Sequence, residues 1–309
     1  MHSAPAKIIL FGEHAVVYGQ PAIAVPFTAL AATADSTPAP AGSGLTIIAH
    51  DVGMVFHVHP GDETPDNALH FAAQLTLKRL SVTHPPDLNV AIRSTIPVAS
   101  GFGSGAAVSA ALIRELSAAL GSPLEGDELN ALVYEVEKMH HGTPSGIDNT
   151  VIVKETPIYF LRGHEPEPFT IGRAMSLVIA DSGVPASTRE TVGAVRNLYE
   201  SDPQTYQRCF DRIGMAAQAA RKRIERGDLL RTGTLMSLNH ALLKKLTVSS
   251  PKLDKLVNAA CAAGALGAKL SGGGRGGNVI ALVDGPNTEP VIEAFRRAGA
   301  AQTWLTTVK

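Results

Sequence analysis

The stretch Ile96-Pro97-Val98-Ala99-Ser100-Gly101-Phe102-Gly103-Ser104-Gly105-Ala106-Ala107 constrains this chain most. An alternating apolar segment, Leu88–Ile96, runs into a glycine- and serine-rich loop. The loop runs into a helix-forming segment, Ala106–Leu120, that stops at Gly121. Such a unit aims unpaired backbone N–H groups and the positive end of a helix dipole at one point. Glycine lets a bulky anion approach the backbone, and Ser100 and Ser104 add hydroxyls. Phosphate binding uses this device, and so does a tight connection with a plain N-cap. The loop alone leaves both readings open. It completes neither G-x-x-x-x-G-K-[ST] nor G-x-G-x-x-G.

A chain of 309 residues is too long for one ordinary core and predicts two domains. The boundary is expected in Arg162–Ile171, rich in Pro, Gly and charge, giving residues 1–165 and 166–309. Hydrophobic content of 45% and charged content of 18% are globular values. A formal net charge of −1 gives no electrostatic footprint for nucleic acid or an anionic membrane. The local cluster Arg221-Lys222-Arg223 reads as a solvated helix face. Cys209 and Cys261 are distant in sequence and form no zinc or disulfide pattern, so both read as packing residues. There is no signal peptide and no apolar stretch of transmembrane length, which predicts a soluble, cytoplasmic protein.

The first half reads as short strands at Lys7–Phe11, Ala22–Pro26, Leu45–Ala49 and Val55–Val58, then a helix over 66–80. A helix through Leu129, Leu132, Val133 and Val136 ends near His140-His141-Gly142, and Val151–Phe160 reads as a strand headed by Asp148. In the second half, a strand at Leu177–Ala180 precedes three or four helices between about 189 and 263. Short strands at Ala268–Leu270 and Val279–Val283, a helix at Val291–Ala298 and a strand at Trp304–Val308 close the chain. Each half is therefore α+β.

Three further segments carry polar residues suited to chemistry. In Ala4–Gly19, Lys7, Glu13 and His14 surround an apolar strand; taken alone they read first as a charged strand start and a solvated turn rather than as a site. In Glu137–Asn149, Glu137 and Asp148 flank a Gly/Pro/Ser turn. Two carboxylates and a lysine suit phosphoryl transfer: one carboxylate for Mg²⁺, one for the attacking hydroxyl, the lysine for developing charge. An exposed helix-end glutamate and a turn aspartate are the alternative. His140 and His141 point about 100° apart on a helix and fit a C-terminal cation role better than a shared metal. In Lys269–Asn278, five of the six residues from Gly272 to Gly277 are glycine. Such a run implies close approach by a ligand or another chain segment, and ligand contact is the favoured expectation over a bare hairpin.

Together these segments resemble the GHMP kinase superfamily, in its motif order, over residues 4 to 280. Within it, K-I-I-L-F-G-E-H-A-V-V-Y-G at 7–19 and H-G-T-P-S-G-I-D-N at 141–149 are most similar to the mevalonate kinase branch. Pro185-Ala186-Ser187-Thr188-Arg189 and Leu238-Asn239-His240 are similar to it too, and the G-E-H-T-D-Y type sequence of galactokinases is missing. The resemblance implies an α+β, two-domain GHMP kinase fold with the active site in the interdomain cleft. Its N-terminal domain would be ribosomal-protein-S5-like and bind ATP; its C-terminal domain would be ferredoxin-like. It implies ATP-dependent phosphorylation of (R)-mevalonate to 5-phosphomevalonate in isoprenoid biosynthesis, with Mg²⁺, by a homodimer.

The resemblance also implies roles. Asp148 becomes the catalytic base and Lys7 its neighbour, lowering the effective pKa of the substrate hydroxyl. Glu137 and Ser104 would bind Mg²⁺, and Ser100, Gly101, Phe102, Gly103, Ser104, Gly105 and Ala106 would cradle the ATP phosphates. Glu13, His14, Ser145, Gly146, Ser271 and Gly272 would hold the substrate. Two departures stand out. The family loop commonly reads G-L-G-S-S-A, so Gly105 replaces a second serine that would ligate the metal; Ser104, a water, or Glu137 with the phosphates alone would substitute. The last motif commonly reads T-G-A-G-G-G-G, so Arg275 replaces a glycine, either to pair with the γ-phosphate or to face solvent. The rival expectations are a related kinase, such as mevalonate 3-kinase or phosphomevalonate kinase, and a non-catalytic nucleotide-binding homologue.

Overall fold

In chain order, the sequence forms β1 (His2–Phe11), β2 (Ala22–Pro38), β3 (Leu45–Ala49), β4 (Met54–Val58), α1 (Ala68–Arg79), β5 (Leu88–Ser94), α2 (Ser104–Ala119), α3 (Gly126–His141), α4 (Ile147–Lys154), β6 (Ile158–Phe160) and β7 (Glu167–Pro168). There follow β8 (Met175–Asp181), α5 (Thr188–Ser201), α6 (Pro203–Glu225), α7 (Leu229–Lys245), α8 (Pro251–Ala262), β9 (Gly267–Ser271), β10 (Asn278–Val283), α9 (Glu289–Ala298) and β11 (Gln302–Val308). The structure, a computed structural model, describes all residues except 60–66, 98–99, 142–143 and 186, and omits the side chains of His140 and His141. Helix starts follow local chemistry. The side chains of Asn67, Ser187, Asp202, Asp228 and Ser250 each accept a backbone N–H at a helix N-terminus.

The first compact unit holds residues 1–6, 30–98 and 103–155. Its strands run in the order β4-β3-β5-β2, the last through the later part of β2. Strands β3 and β5 are parallel, Leu45 opposite Leu88, and the intervening β4 and α1 supply the crossover that a parallel pair needs. Helices α1 to α4 pack on one another.

The second unit holds residues 7–29, 99–102 and 156–309. Its four-stranded sheet is antiparallel in the order β11-β8-β10-β9. The chain order strand, helices, strand, strand, helix, strand makes this the expected ferredoxin-like topology. Alternation gives the sheet two apolar faces. Val178, Ala180, Val279, Ala281, Ala268 and Leu270 join the helical core with Phe210, Ile213, Leu243 and Phe295. The other face carries the row Trp304, Ile179, Ile280 and Lys269, aligned by register across all four strands. Close approach also needs two facing glycines: a Cβ on Gly267 would fall 1.9 Å from the carbonyl oxygen of Gly233 in α7.

Several expectations change. The two units do not divide at one cut near 165. Residues 7–29 and 99–102 group with the second unit because their partners, such as Phe160 opposite Ala22 and Ser271 bonded to Ile9, lie far along the chain. Strand β2 does not stop at Pro26 but runs 17 residues, since ladders to β6 and β5 override its alanine-rich composition. Val151–Lys154 is helix, not strand: the Gly146 turn starts α4, and only Ile158–Phe160 extends. Cys209 packs in the core, whereas Cys261 lies exposed on α8. Among the described residues no helix is long and apolar enough to cross a membrane.

Candidate functional site

In the second unit the site is built around the turn Gly12-Glu13-His14. Gly12 has φ +95°, and a Cβ there would lie 2.5 Å from Cα of Ala22, so only glycine lets β1 turn this tightly against β2. Glu13 is neither a strand-end charge nor part of a solvated turn; it is buried. The Lys269 ammonium, itself wholly buried, donates to Oε1 of Glu13 and to the Leu270 carbonyl at 2.6 Å. Asn239 Nδ2 donates to Oε2 of Glu13 at 3.1 Å. Burial pulls the Lys269 ammonium below its usual range, and the Glu13 carboxylate opposes that pull.

His14 is buried with φ +61°, and its Nε2–H donates to the Gly273 carbonyl at 2.9 Å. Desolvation lowers its pKa from 6.5 to about 4; the Gly273 hydrogen bond opposes this, while Arg275 and Lys269 add to it. His14 is therefore neutral in the fold and takes up a proton more readily when unfolded. The stability tied to this is complete above the unfolded pKa and is lost as pH falls towards 4. The loss should approach about 3 kcal/mol by that pH. Urea unfolding between pH 7 and 4.5 checks this, with His14→Asn expected to flatten the acid limb.

The two glycine loops meet within this unit. Ser271 Oγ donates to the Ile9 carbonyl at 2.9 Å and accepts the Ile9 N–H at 3.2 Å, fixing the second loop to β1. A Cβ on Gly272 would lie 3.5 Å from the Gly101 carbonyl. Asn278 Nδ2 donates to the Ser100 carbonyl, and the Lys7 N–H to the Phe102 carbonyl at 3.0 Å. Lys7 is buried inside β1 rather than marking its start. Part of the glycine run is required by close approach of the chain itself. Cβ atoms on Gly274 and Gly276 would fall 2.1 and 2.3 Å from the carbonyls of Val248 and Val184. Arg275 adopts φ +61° and donates from Nε to the Thr247 carbonyl at 3.3 Å, so its guanidinium is tied to the turn after α7.

The remaining candidates lie in the first unit, on helices that pack together: α2, α3 and α4. Helix α2 starts after Gly103, φ +76°, with no side chain capping its N-terminus; Ser104 and Gly105 there are partly exposed and Ala106 is buried. Glu137 is buried on α3. Gly146, φ +90°, starts α4, Ser145 Oγ accepts the Ile147 N–H at 3.4 Å, and Asp148 is half-buried in the first turn. The backbone of α3 continues through His141 as expected, but the histidine side chains, Gly142 and Thr143 lie outside the described residues. Sequence reasoning assigned no role to Lys269, Asn239 or Asn278. A lysine inside the apolar run Ala268–Leu270 was the available signal.

The family model described as GHMP kinases N terminal domain matches residues 67–154, and that described as GHMP kinases C terminal matches residues 218–301. The chain belongs to the GHMP kinase family, and is thus an enzyme that phosphorylates an alcohol. Its relatives point to one branch. It is 37% identical to the mevalonate kinase of Pyrococcus horikoshii over 96% of this chain and 92% of that one. A crystal structure of L. major mevalonate kinase in complex with R-mevalonate aligns with a TM-score of 0.87 and 30% identity, covering 100% of this chain and 95% of that one. The Methanococcus jannaschii mevalonate kinase aligns at 0.82 and 26% identity, over 99% and 98%.

Proposed function

We propose that this chain transfers the γ-phosphoryl group of ATP to the primary hydroxyl of (R)-mevalonate, giving 5-phosphomevalonate and ADP for isoprenoid biosynthesis. The observation that carries the substrate assignment is the 37% identity to a mevalonate kinase across nearly the whole chain. The start of α2, where no side chain among the described residues caps the helix, supports the donor assignment, since a helix N-terminus and its dipole suit phosphate oxygens. In the proposed reaction the hydroxyl oxygen forms a bond to Pγ as the bond from Pγ to the bridging oxygen breaks, and ADP leaves. Asp148 orients the hydroxyl and takes its proton, Lys7 offsets developing charge, and the loop N–H groups hold the phosphates. The Gly12–His14 turn, Ser145, Gly146, Ser271 and Gly272 shape the substrate side. Lys269 and Asn239 each donate to one oxygen of Glu13, which fixes the turn that carries His14 and leaves the carboxylate further acceptor sites for substrate.

Among the described residues no three His, Cys, Asp or Glu side chains cluster as an all-protein metal cage. A hard-oxygen set of Glu137 and Ser104, completed by ATP phosphates, fits Mg²⁺, which favours few carboxylates and substrate phosphates. When bound, Mg²⁺ neutralises charge on the transferring phosphates. The same reading places the enzyme in the cytoplasm as a homodimer.

An ADP-release assay with Mg-ATP and mevalonate, mevalonate 5-phosphate, galactose or homoserine, with NMR of any product, tests the proposal. Turnover of mevalonate to the 5-phosphate is expected. Phosphorylation at the 3-hydroxyl, or turnover of mevalonate 5-phosphate alone, would transfer the assignment to a related kinase. Nucleotide-dependent stabilisation without turnover would mark a non-catalytic homologue.

A further inference from the structure

The first glycine loop does not hold itself in place. Gly101 and Gly103 have φ of +83° and +76°, so Phe102 is the one residue between two conformationally free neighbours. Its side chain is one grip on that stretch, beside the Lys7 N–H bonded to its carbonyl at 3.0 Å. Phe102 is buried, its ring centroid 5.3 Å from Phe27 and 5.5 Å from Trp304, the latter edge-on at 86°. Phe27 and Trp304 are themselves 6.3 Å apart and near perpendicular, closing an aromatic triangle. Trp304 stands on β11 in the row that crosses the ferredoxin-like sheet through Ile179 and Ile280. Asn278, the first residue of β10, holds the loop two residues before Phe102 through its amide on the Ser100 carbonyl. Thus two strands from the far end of the sequence grip Ser100 and Phe102, and α2 begins two residues after Phe102.

We infer that Trp304 and Asn278 are positioning residues for the phosphoryl donor, acting through Phe102 and Ser100 on the loop that leads into α2. This rests on the reading of that loop as the ATP site. Phe27 and Trp304 form the aromatic seat of the Phe102 ring. Neither positioning side chain needs to touch nucleotide. Their loss lets the loop sample other conformations, and the donor then binds less well while the bound complex reacts at the normal rate.

Trp304 is the chain's single tryptophan, so its emission reports on this seat alone. Trp304→Ala is expected to raise KM for ATP about five- to tenfold, with kcat and KM for mevalonate within about twofold. Trp304→Phe, which keeps an aromatic edge, is expected to restore the ATP KM. Asn278→Asp, which sets a carboxylate against the Ser100 carbonyl, should raise it as Trp304→Ala does. Titrating wild-type protein with Mg-ADP should change Trp304 emission saturably. An ATP KM unmoved by Trp304→Ala and Asn278→Asp, or emission flat under nucleotide that binds by calorimetry, overturns the inference. If Trp304→Ala does not fold, Trp304→Phe, Asn278→Asp and the titration still decide it. The titration needs no turnover, so a saturable change with no mevalonate turnover would fault the substrate assignment and leave this inference standing.

Discussion

Asp148→Asn is expected to lower kcat by about 10²- to 10⁴-fold, the range for loss of a positioned general base. KM for ATP should stay near the wild-type value. Asp148 lies in the first turn of α4, half-buried, behind the left-handed Gly146. Asparagine is nearly the same shape and keeps hydrogen-bonding capacity, so the turn should survive. The lost charge at the helix N-terminus costs only about 0.3–1 kcal/mol of stability. An activity loss with near-normal melting is therefore chemical. Steady-state kinetics, with nucleotide affinity measured separately, would show it. A decrease of only a few-fold would remove Asp148 from the role of base and leave it as a helix-capping charge.

Much of this was legible in the chain. Helix starts carry their caps as sequence, as at Ser250-Pro251 and Asp202-Pro203. The split strand–helix–strand order of the second half follows from periodicity, because each element is long enough to show its own repeat. What was not legible depends on distant partners. The 17 residues of β2 read as strand only once β5 and β6 flank them. Helix α4 is eight residues of largely β-branched and apolar character that local propensity assigns to strand; the glycine turn before it and packing on α2 and α3 decide otherwise. The dense glycines of 272–277 signalled close approach, but not that Val184, Val248 and Gly101 approach most of them. The loop 100–107 shows its glycines locally, whereas the aromatic seat that grips it joins positions 27, 102 and 304.

Lys269→Met is expected to destabilise the protein by about 3–5 kcal/mol, because it leaves the carboxylate of Glu13 buried without its cation. The pair is sheltered from solvent: Lys269 is 0% exposed and Glu13 2%. Methionine matches the lysine stem, so no large cavity adds to the loss. Asn239 still donates one hydrogen bond to Glu13, which limits the effect without restoring a countercharge. The double change Glu13→Gln with Lys269→Met removes both charges together. It should recover most of the lost stability, since a buried ion pair adds little over a neutral pair of similar volume. Urea unfolding of the two single variants and the double completes the cycle and isolates the coupling. Activity of the double variant then separates two roles for Glu13. If the carboxylate serves only to fix the turn that carries His14, a restored fold returns the mevalonate KM towards wild type. If the carboxylate also meets substrate, stability returns while the mevalonate KM stays high. A Lys269→Met cost below about 1 kcal/mol would remove the Lys269–Glu13 ion pair from the role of holding this turn.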